Sequence, residues 1–129
     1  MKVLLDTVVL LWFAFDNREK FTPHALEILT KSESLLLLSA ASTWEISIKF
    51  SLKKLQLSIS PEQLISEATL KMNLNNLPIT NQHALATSQL PFHHKDPFDR
   101  LLIAQAQVEN IPILTPDTSF SKYPVEVIW

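Results

Sequence analysis

Short apolar runs alternate along the chain with longer segments in which apolar residues recur every three or four positions. Runs of strand-like length and composition lie at residues 2–5, 34–40 and 112–115, near Leu77, and at 125–129. The segments between them have helical periodicity, and a short buried helix or turn is predicted over the apolar residues 7–15. This alternation predicts an α/β sandwich with a mostly parallel sheet.

Capping residues mark several of the predicted helix starts. Thr22 and Ser60 each precede a proline at the first helical position. Ser42 stands three residues before Glu45, which is the spacing of a capping box and predicts a helix that opens at Ser42. Because the chain has no glycine, positive φ angles are expected at asparagine or aspartate. The asparagines in expected turns are Asn17, Asn75, Asn76 and Asn110.

The last long helix, predicted over residues 96–110, carries an acid on its apolar face. At 100° per residue, Leu102, Ile103 and Ala106 fall within about 60° of Asp99. An amphipathic helix turns this face inward. The Asp99 carboxylate is therefore predicted to point toward the core.

Four acids occupy positions where predicted strands end or the following helices begin. They are Asp6 after the first strand, Glu45 early in the helix after the second, Asp117 after the fourth, and Asp99. In a parallel α/β sheet such positions meet at one edge, where ligands bind. Bare carboxylates crowded together repel one another and raise their pKa values, and a divalent cation is the usual remedy. The pattern predicts a Mg²⁺ or Mn²⁺ site suited to phosphodiester hydrolysis.

Each acid also has a structural interpretation. Asp99 has the spacing to accept a hydrogen bond from the backbone N–H of Asp96, and Glu45 has the spacing of a capping-box partner for Ser42. Asp96 is expected to cap its helix rather than to bind a ligand. Asp117 is equally compatible with an ordinary turn. The convergence of the four acids on one edge is what favours a metal site.

Basic and hydroxyl side chains near the acids are candidates for contact with RNA or with the carboxylates. Lys49 lies one helical turn after Glu45 and is placed to orient it or to meet a phosphate. Arg100 is expected either on a basic rim with His93, His94 and Lys95 or in a structural ion pair. Both histidines are expected to be loop residues rather than metal ligands. Further candidates for contact with a ligand or a carboxylate are Thr7, Asp96, Thr115 and Ser119.

Composition narrows the class of protein. A chain of 129 residues predicts one domain over residues 1–129, with a core that needs no covalent staples. The absence of cysteine excludes disulfides and cysteine-ligated zinc, and it is compatible with the reducing environment of the cytoplasm, which is the expected location. The net charge of −2 gives no bulk sign of a nucleic-acid binder. No membrane span is expected, and Asp6 interrupts the N-terminal apolar run that would otherwise resemble a secretory signal.

In five stretches, LLDTVVLLW (4–12), SAASTWEISIK (39–49), DPFDRLLIAQA (96–106), ILTPDTSF (113–120) and the closing VEVIW, the sequence resembles the PIN-domain ribonucleases. The resemblance is to the VapC-type toxins of bacterial toxin–antitoxin pairs in particular, and it spans nearly the whole chain. It implies about five strands in the order 3-2-1-4-5 and a metal-dependent endoribonuclease. It also implies a homodimer and a cognate antitoxin that blocks the cleft. The catalytic, metal-binding residues it implies are Asp6, Glu45, Asp99 and Asp117.

The resemblance leaves several points open. Val8 stands where related sequences often have a polar residue. Trp12, Trp44 and Phe98 are expected to be core or dimer contacts rather than platforms for stacked bases. The segments 22–32 and 42–72 are candidate surfaces for a dimer or an antitoxin, and an exposed apolar patch would mark them.

Two other functions are compatible with an acidic pocket at strand ends. A phosphoacceptor receiver domain pairs two acids after its first strand, whereas here Thr7 and Val8 follow Asp6. That difference argues against a signalling domain. A catalytically silent module that only binds an antitoxin stays open.

Overall fold

The computed structural model describes residues 1–129 and contains one sheet of five parallel strands. The strands are β1 (Lys2–Leu5), β2 (Leu35–Ser39), β3 (Asn75–Leu77), β4 (Ile113–Leu114) and β5 (Val127–Ile128). They lie in the order β3-β2-β1-β4-β5. The predicted α/β class and strand order are confirmed, and the sheet is entirely parallel.

The central strand β1 contributes to two hydrophobic cores, one on each face of the sheet. Val3 and Leu5 pack into one core and Leu4 into the other, because successive side chains of a strand point to opposite faces. All three are fully buried. A strand covered on both faces is apolar at every position, which is why β1 shows a continuous run instead of alternation.

Six helices cover the sheet: α1 (Thr7–Ala14), α2 (Pro23–Thr30), α3 (Ala40–Ser51), α4 (Pro61–Met72), α5 (Asn81–Ala86) and α6 (Pro97–Glu109). Buried residues of α1, α2 and α4 pack on one face, and those of α6 pack on the other. The helices and the sheet together form three layers, in agreement with the α/β sandwich predicted from the sequence. None of the helices combines the length and apolarity needed to cross a membrane.

The predicted helix caps are confirmed at two helices and wrong at a third. The hydroxyl groups of Thr22 and Ser60 accept hydrogen bonds from backbone N–H groups in the first turns of α2 and α4. The helix after β2 begins at Ala40, not at Ser42, and its cap is Ser39, whose hydroxyl accepts from the Ala41 N–H at 2.9 Å. The strand runs directly into α3, so Ser42 is already inside the helix and fully buried.

Positive φ occurs at one of the four asparagines singled out from the sequence. Asn110 has φ 54° and ends α6. The other residues with positive φ are Asp16, Lys53 and Asn73, none of which was singled out from the sequence. Asn75 and Asn76 lie within β3 because they pair with β2, and Asn17 has φ −80°.

Candidate active site

A cleft of about 410 Å³ opens where β1 and β4 end and where α3 and α6 begin. Polar side chains from these separate segments line it: Asp6, Glu45, Lys49, Lys54, Asp96, Asp99 and Asp117. The four acids that the sequence placed at strand ends and helix starts are thus brought together. Val8 also lines the cleft. Five acids against two lysines make it strongly negative.

Asp6 enters the cleft from the end of β1 and is 6 % exposed. It occupies the N-cap position of α1, yet its carboxylate makes no capping hydrogen bond to that helix. Instead its Oδ2 accepts a hydrogen bond from the Thr115 hydroxyl at 2.7 Å. Burial raises the pKa of Asp6 to about 6, and the charges of Glu45 and Asp117 add to this, against the lowering effect of the Thr115 hydrogen bond. A local structural role does not account for this carboxylate.

Glu45 reaches the cleft from α3 and is 7 % exposed. The capping-box interpretation is wrong, because α3 begins at Ala40 and Glu45 lies beyond its first turn. Its Oε2 accepts a hydrogen bond from Lys49 Nζ at 2.5 Å. Its Oε1 is buried and has no hydrogen-bond partner in the protein. An unpaired buried carboxylate oxygen is costly unless a ligand satisfies it.

Asp99 lies in the first turn of α6, with a side chain 17 % exposed. It does not form a capping box, because the backbone N–H of Asp96 donates to His94 Nδ1 instead, at 3.3 Å. Burial raises the pKa of Asp99 to about 8, and the negative charges of Asp6 and three other acids of the cleft add to this effect. The cap predicted for Asp96 is confirmed, since its Oδ1 accepts from the N–H groups of Phe98 and Asp99 at 2.8 and 3.0 Å.

Asp117 combines a turn with a place in the cleft wall. Its Oδ1 accepts hydrogen bonds from the Ser119 N–H at 2.9 Å and the Ser119 hydroxyl at 2.7 Å. Its Oδ2 lies 3.3 Å from His94 Nε2. Burial acts to raise the pKa of Asp117, but the hydrogen bonds from Ser119 and His94 outweigh it and lower the pKa. The carboxylate is therefore ionised and held in place.

His94 was expected from the sequence only as a loop residue on a basic rim, and its contacts with the acids of the site were missed. It lies in a loop, as expected, but its Nε2 is also 3.0 Å from Asp99 Oδ2. One ligand atom from each of His94, Asp99 and Asp117 lies within 4.8 Å of the other two, so the three form a group able to hold a metal ion. The signal was its position two residues before the cap of α6, which aims the loop at the cleft.

The side chains of Arg100 and Thr7 do not hydrogen-bond to the acids of the cleft, although Thr7 lines it. The Arg100 guanidinium is buried and donates to four backbone carbonyls, and it stacks on the Phe92 ring with a 4.1 Å separation. It is not among the residues that line the cleft, and its partners are carbonyls instead of the acid considered from the sequence. The Thr7 hydroxyl donates to the Ser42 hydroxyl at 2.8 Å rather than to a carboxylate.

The tryptophans differ in their surroundings. Trp12 is half-buried and packs against Phe21 and Trp129, at ring-centroid distances of 5.9 and 6.2 Å. Trp44 is 55 % exposed and contacts Phe98 edge to face at 5.2 Å. Trp44 is thus not a core residue, and its alternative role as a dimer contact stays a prediction. The apolar residues of α2 are buried or half-buried, so the exposed apolar surface lies on the segment 42–72 and not on 22–32.

The donor set of the cleft fits a hard divalent cation. All four converging acids offer carboxylate oxygens, which Mg²⁺ and Mn²⁺ prefer. The buried Glu45 Oε1 lacks a partner. Burial, with the charges of neighbouring acids, raises the pKa values of Asp6 and Asp99, so their ionised forms are unfavourable in the metal-free protein. A divalent cation would provide a partner for the Glu45 oxygen and would stabilise the ionised forms of Asp6 and Asp99.

Comparison with known proteins identifies a family and several similar folds. The family described as "PIN domain" matches residues 3–126. Among solved structures, the chain is similar to VapBC2 from Rickettsia felis bound to a promoter DNA fragment, with a TM-score of 0.71 and 18 % identity over 100 % of this chain and 99 % of that one. DNA-bound VapBC from Salmonella typhimurium has a TM-score of 0.72 and 18 % identity, over 99 % of this chain and 97 % of that one. FitAcB from Neisseria gonorrhoeae has a TM-score of 0.60 and 20 % identity, over 98 % of this chain and 96 % of that one. No curated protein matches the chain.

Proposed function

The chain belongs to the PIN-domain family, whose members are nucleases that generally use a divalent metal, and we propose that it is a metal-dependent endoribonuclease. We further propose that it is the toxin of a toxin–antitoxin pair. The solved VapBC and FitAB complexes have the same fold, and the five sequence stretches that resemble VapC-type toxins carry all four acids of the cleft.

The observation that carries the proposal is the partnerless Oε1 of Glu45 inside a cleft lined by four converging acids. Desolvation of so many carboxylates is unfavourable in the metal-free protein. A protein that only needed to fold would gain by replacing them with apolar residues. Their presence supports a site built around a cation.

In this proposal Asp6, Glu45, Asp99 and Asp117 hold Mg²⁺ or Mn²⁺. The bound ion supplies Lewis acidity and a water of lowered pKa for attack on a phosphodiester. The protein holds the carboxylates in place through hydrogen-bond donors: Lys49 for Glu45, Thr115 for Asp6, and Ser119 for Asp117. No protein nucleophile is required.

RNA is the proposed substrate, and the two lysines of the cleft are its proposed phosphate contacts. Lys49 remains 43 % exposed while it is paired with Glu45, and Lys54 lines the same cleft. Phosphate contacts by lysine make RNA binding weaken with salt. The cytoplasm, where RNA and an antitoxin are both present, is the proposed location.

The proposed homodimer uses the exposed apolar surface around Trp44. This side chain lies between two shallow hollows, one bordered by Leu77 and Pro78 and the other by Phe92 and Leu101. Trp44 and Phe92 are 55 % and 77 % exposed. A two-fold interface uses the same patch on both copies, so in the proposed dimer the exposed aromatic rings of one copy would fill the apolar hollows of the other. A second copy of the chain is therefore the proposed occupant.

The nuclease proposal is tested by incubating the pure protein with structured and unstructured RNA in Mg²⁺, Mn²⁺ or EDTA. We expect cleavage with either metal and none in EDTA. Asp6→Asn and Glu45→Gln, which keep side-chain size, should abolish it. Glu33→Gln, which changes an exposed acid in the turn before β2, is the matched control and should cleave like the wild type. Absence of cleavage under every metal condition would leave the silent antitoxin-binding module as the better description.

A further inference from the structure

We propose that His94 is a positioning residue of the metal site, whose Nε2–H group holds the Asp99 and Asp117 carboxylates side by side without binding the ion itself. The inference rests on the proposed function, because it concerns the same cleft. It adds a residue and assigns its role.

The contacts of the imidazole connect two acids that come from different segments of the chain. Its Nε2 lies 3.0 Å from Asp99 Oδ2, in the first turn of α6, and 3.3 Å from Asp117 Oδ2, after β4. The ligand oxygens of Asp99 and Asp117 lie within 4.8 Å of each other, and two ionised carboxylates this close repel each other. A shared N–H donor between them reduces the repulsion and fixes the separation of the two oxygens.

The other ring nitrogen determines which atom carries the proton. His94 Nδ1 accepts a hydrogen bond from the backbone N–H of Asp96 at 3.3 Å, so it presents a lone pair and the proton of the neutral ring is on Nε2. A protonated Nε2 has no free lone pair for a metal. Although His94, Asp99 and Asp117 are close enough to ligate one ion, the hydrogen bonding makes His94 a donor to the two acids.

The ring is held from its other side as well. The backbone N–H of His94 donates to the Tyr123 hydroxyl at 2.8 Å, and that hydroxyl donates to the Pro91 carbonyl at 2.7 Å. The Phe120 ring packs against the imidazole edge to face at 5.6 Å. Tyr123 and Phe120 are both buried. The imidazole is therefore anchored to the core, as a residue that positions two carboxylates must be.

The test compares the Mn²⁺ affinity of four proteins by isothermal titration calorimetry: the wild type, His94→Leu, His94→Gln and His93→Leu. The leucine variant at 94 removes the donor and should weaken binding by about 10- to 100-fold, as is usual for partners that orient metal ligands. In the glutamine variant an amide N–H replaces the Nε2–H, and binding should return to within about three-fold of the wild type. His93 is exposed and packs on Tyr123 instead, so His93→Leu should bind Mn²⁺ normally.

Electron spin-echo envelope modulation of the Mn²⁺-loaded wild type gives a readout that does not depend on cleavage. We expect no coupling from a directly bound imidazole nitrogen. Such a coupling would overturn the inference, as would wild-type affinity in His94→Leu or a glutamine variant as weak as the leucine one. Thermal melting in EDTA checks that each variant folds. If His94→Leu does not fold, the Mn²⁺ affinity of His94→Gln and the spectrum of the wild type still test the role of His94. A wild type that binds no Mn²⁺ would overturn the proposed function as well, whereas an unaffected His94→Leu overturns only the role of His94.

Discussion

Replacing Asp99 by asparagine should stabilise the metal-free protein near neutral pH. Burial and the neighbouring acids raise the pKa of Asp99 to about 8, from an ordinary value of 3.8. The folded protein therefore binds this proton more tightly than the unfolded chain does. The wild type loses stability as the pH rises between about 4 and 8, because the carboxyl must stay protonated or be ionised in an unfavourable place. Asparagine never ionises, so the variant escapes this loss.

The size of the effect at pH 7 follows from how far this pH lies above the ordinary pKa of 3.8, about three units, because the folded protein keeps the Asp99 proton up to a pKa of about 8. At 1.36 kcal/mol per unit, the penalty at pH 7 is about 4 kcal/mol. The variant recovers only part of it, since 17 % of the Asp99 side chain is exposed to water and an amide replaces the acceptor oxygen on one side. We expect a gain of about 2 kcal/mol at pH 7, which for a domain of this size raises the melting temperature by about 5–10 °C.

Thermal melts of wild type and Asp99→Asn in EDTA, at a series of pH values from about 4 to 8, measure this difference. The two proteins should melt alike at the acid end and diverge as the pH rises. Glu33→Gln, an exposed acid at the opposite end of the strands, should show no such divergence. Added Mn²⁺ should raise the melting temperature of the wild type more than that of Asp99→Asn. A variant that is less stable than the wild type at pH 7, or a difference that does not change with pH, would refute the reasoning.

Three further changes test other parts of the structure. Thr115→Val removes the hydrogen bond that lowers the pKa of Asp6, so the pKa should rise above about 6 and Mn²⁺ titrations between about pH 5 and 8 should show binding shifted to higher pH; an unshifted profile would contradict this. Arg100→Met leaves four backbone carbonyls without their donor and should cost about 3 kcal/mol or more in urea unfolding, whereas a nearly neutral result would mean that Arg100 is not structural. Trp44→Ser combined with Phe92→Ser should convert the dimer to a monomer in light scattering after gel filtration, and a wild type that is already monomeric would refute the proposed interface.

The fold was largely predictable because its signals are local. Strands buried on both faces give continuous apolar runs, and a proline after Thr22 or Ser60 marks a helix start from two adjacent residues. The start of α3 was misplaced because Ser42 and Glu45 have capping-box spacing, whereas the chain passes from β2 into the helix at Ser39. Propensity rules assume a loop between strand and helix, and here there is none.

The candidate site was harder to predict from the sequence, because the hydrogen-bond partners of its side chains are set by tertiary packing. The four acids are found at strand ends and helix starts, a rule that topology provides. The roles of His94 and Arg100 depend on where one loop, residues 91–96, lies against α6 and Tyr123. Both residues are adjacent to the acids in sequence, yet His94 turns into the cleft and Arg100 turns away from it. Spacing alone does not distinguish these outcomes.

The cleft combines crowded acids, which repel one another, with hydrogen-bond donors that already hold their side chains in place. At least one oxygen of each converging acid is held by a donor on the protein, so little ordering of these side chains would remain when a cation binds. The repulsion that lowers the stability of the metal-free protein is relieved by the same event, and the two effects add to the affinity. In the proposed metal site, the crowded acids would therefore lower the stability of the metal-free protein and raise its affinity for the cation, and the donors that hold these acids in place are Thr115, Lys49, His94 and Ser119.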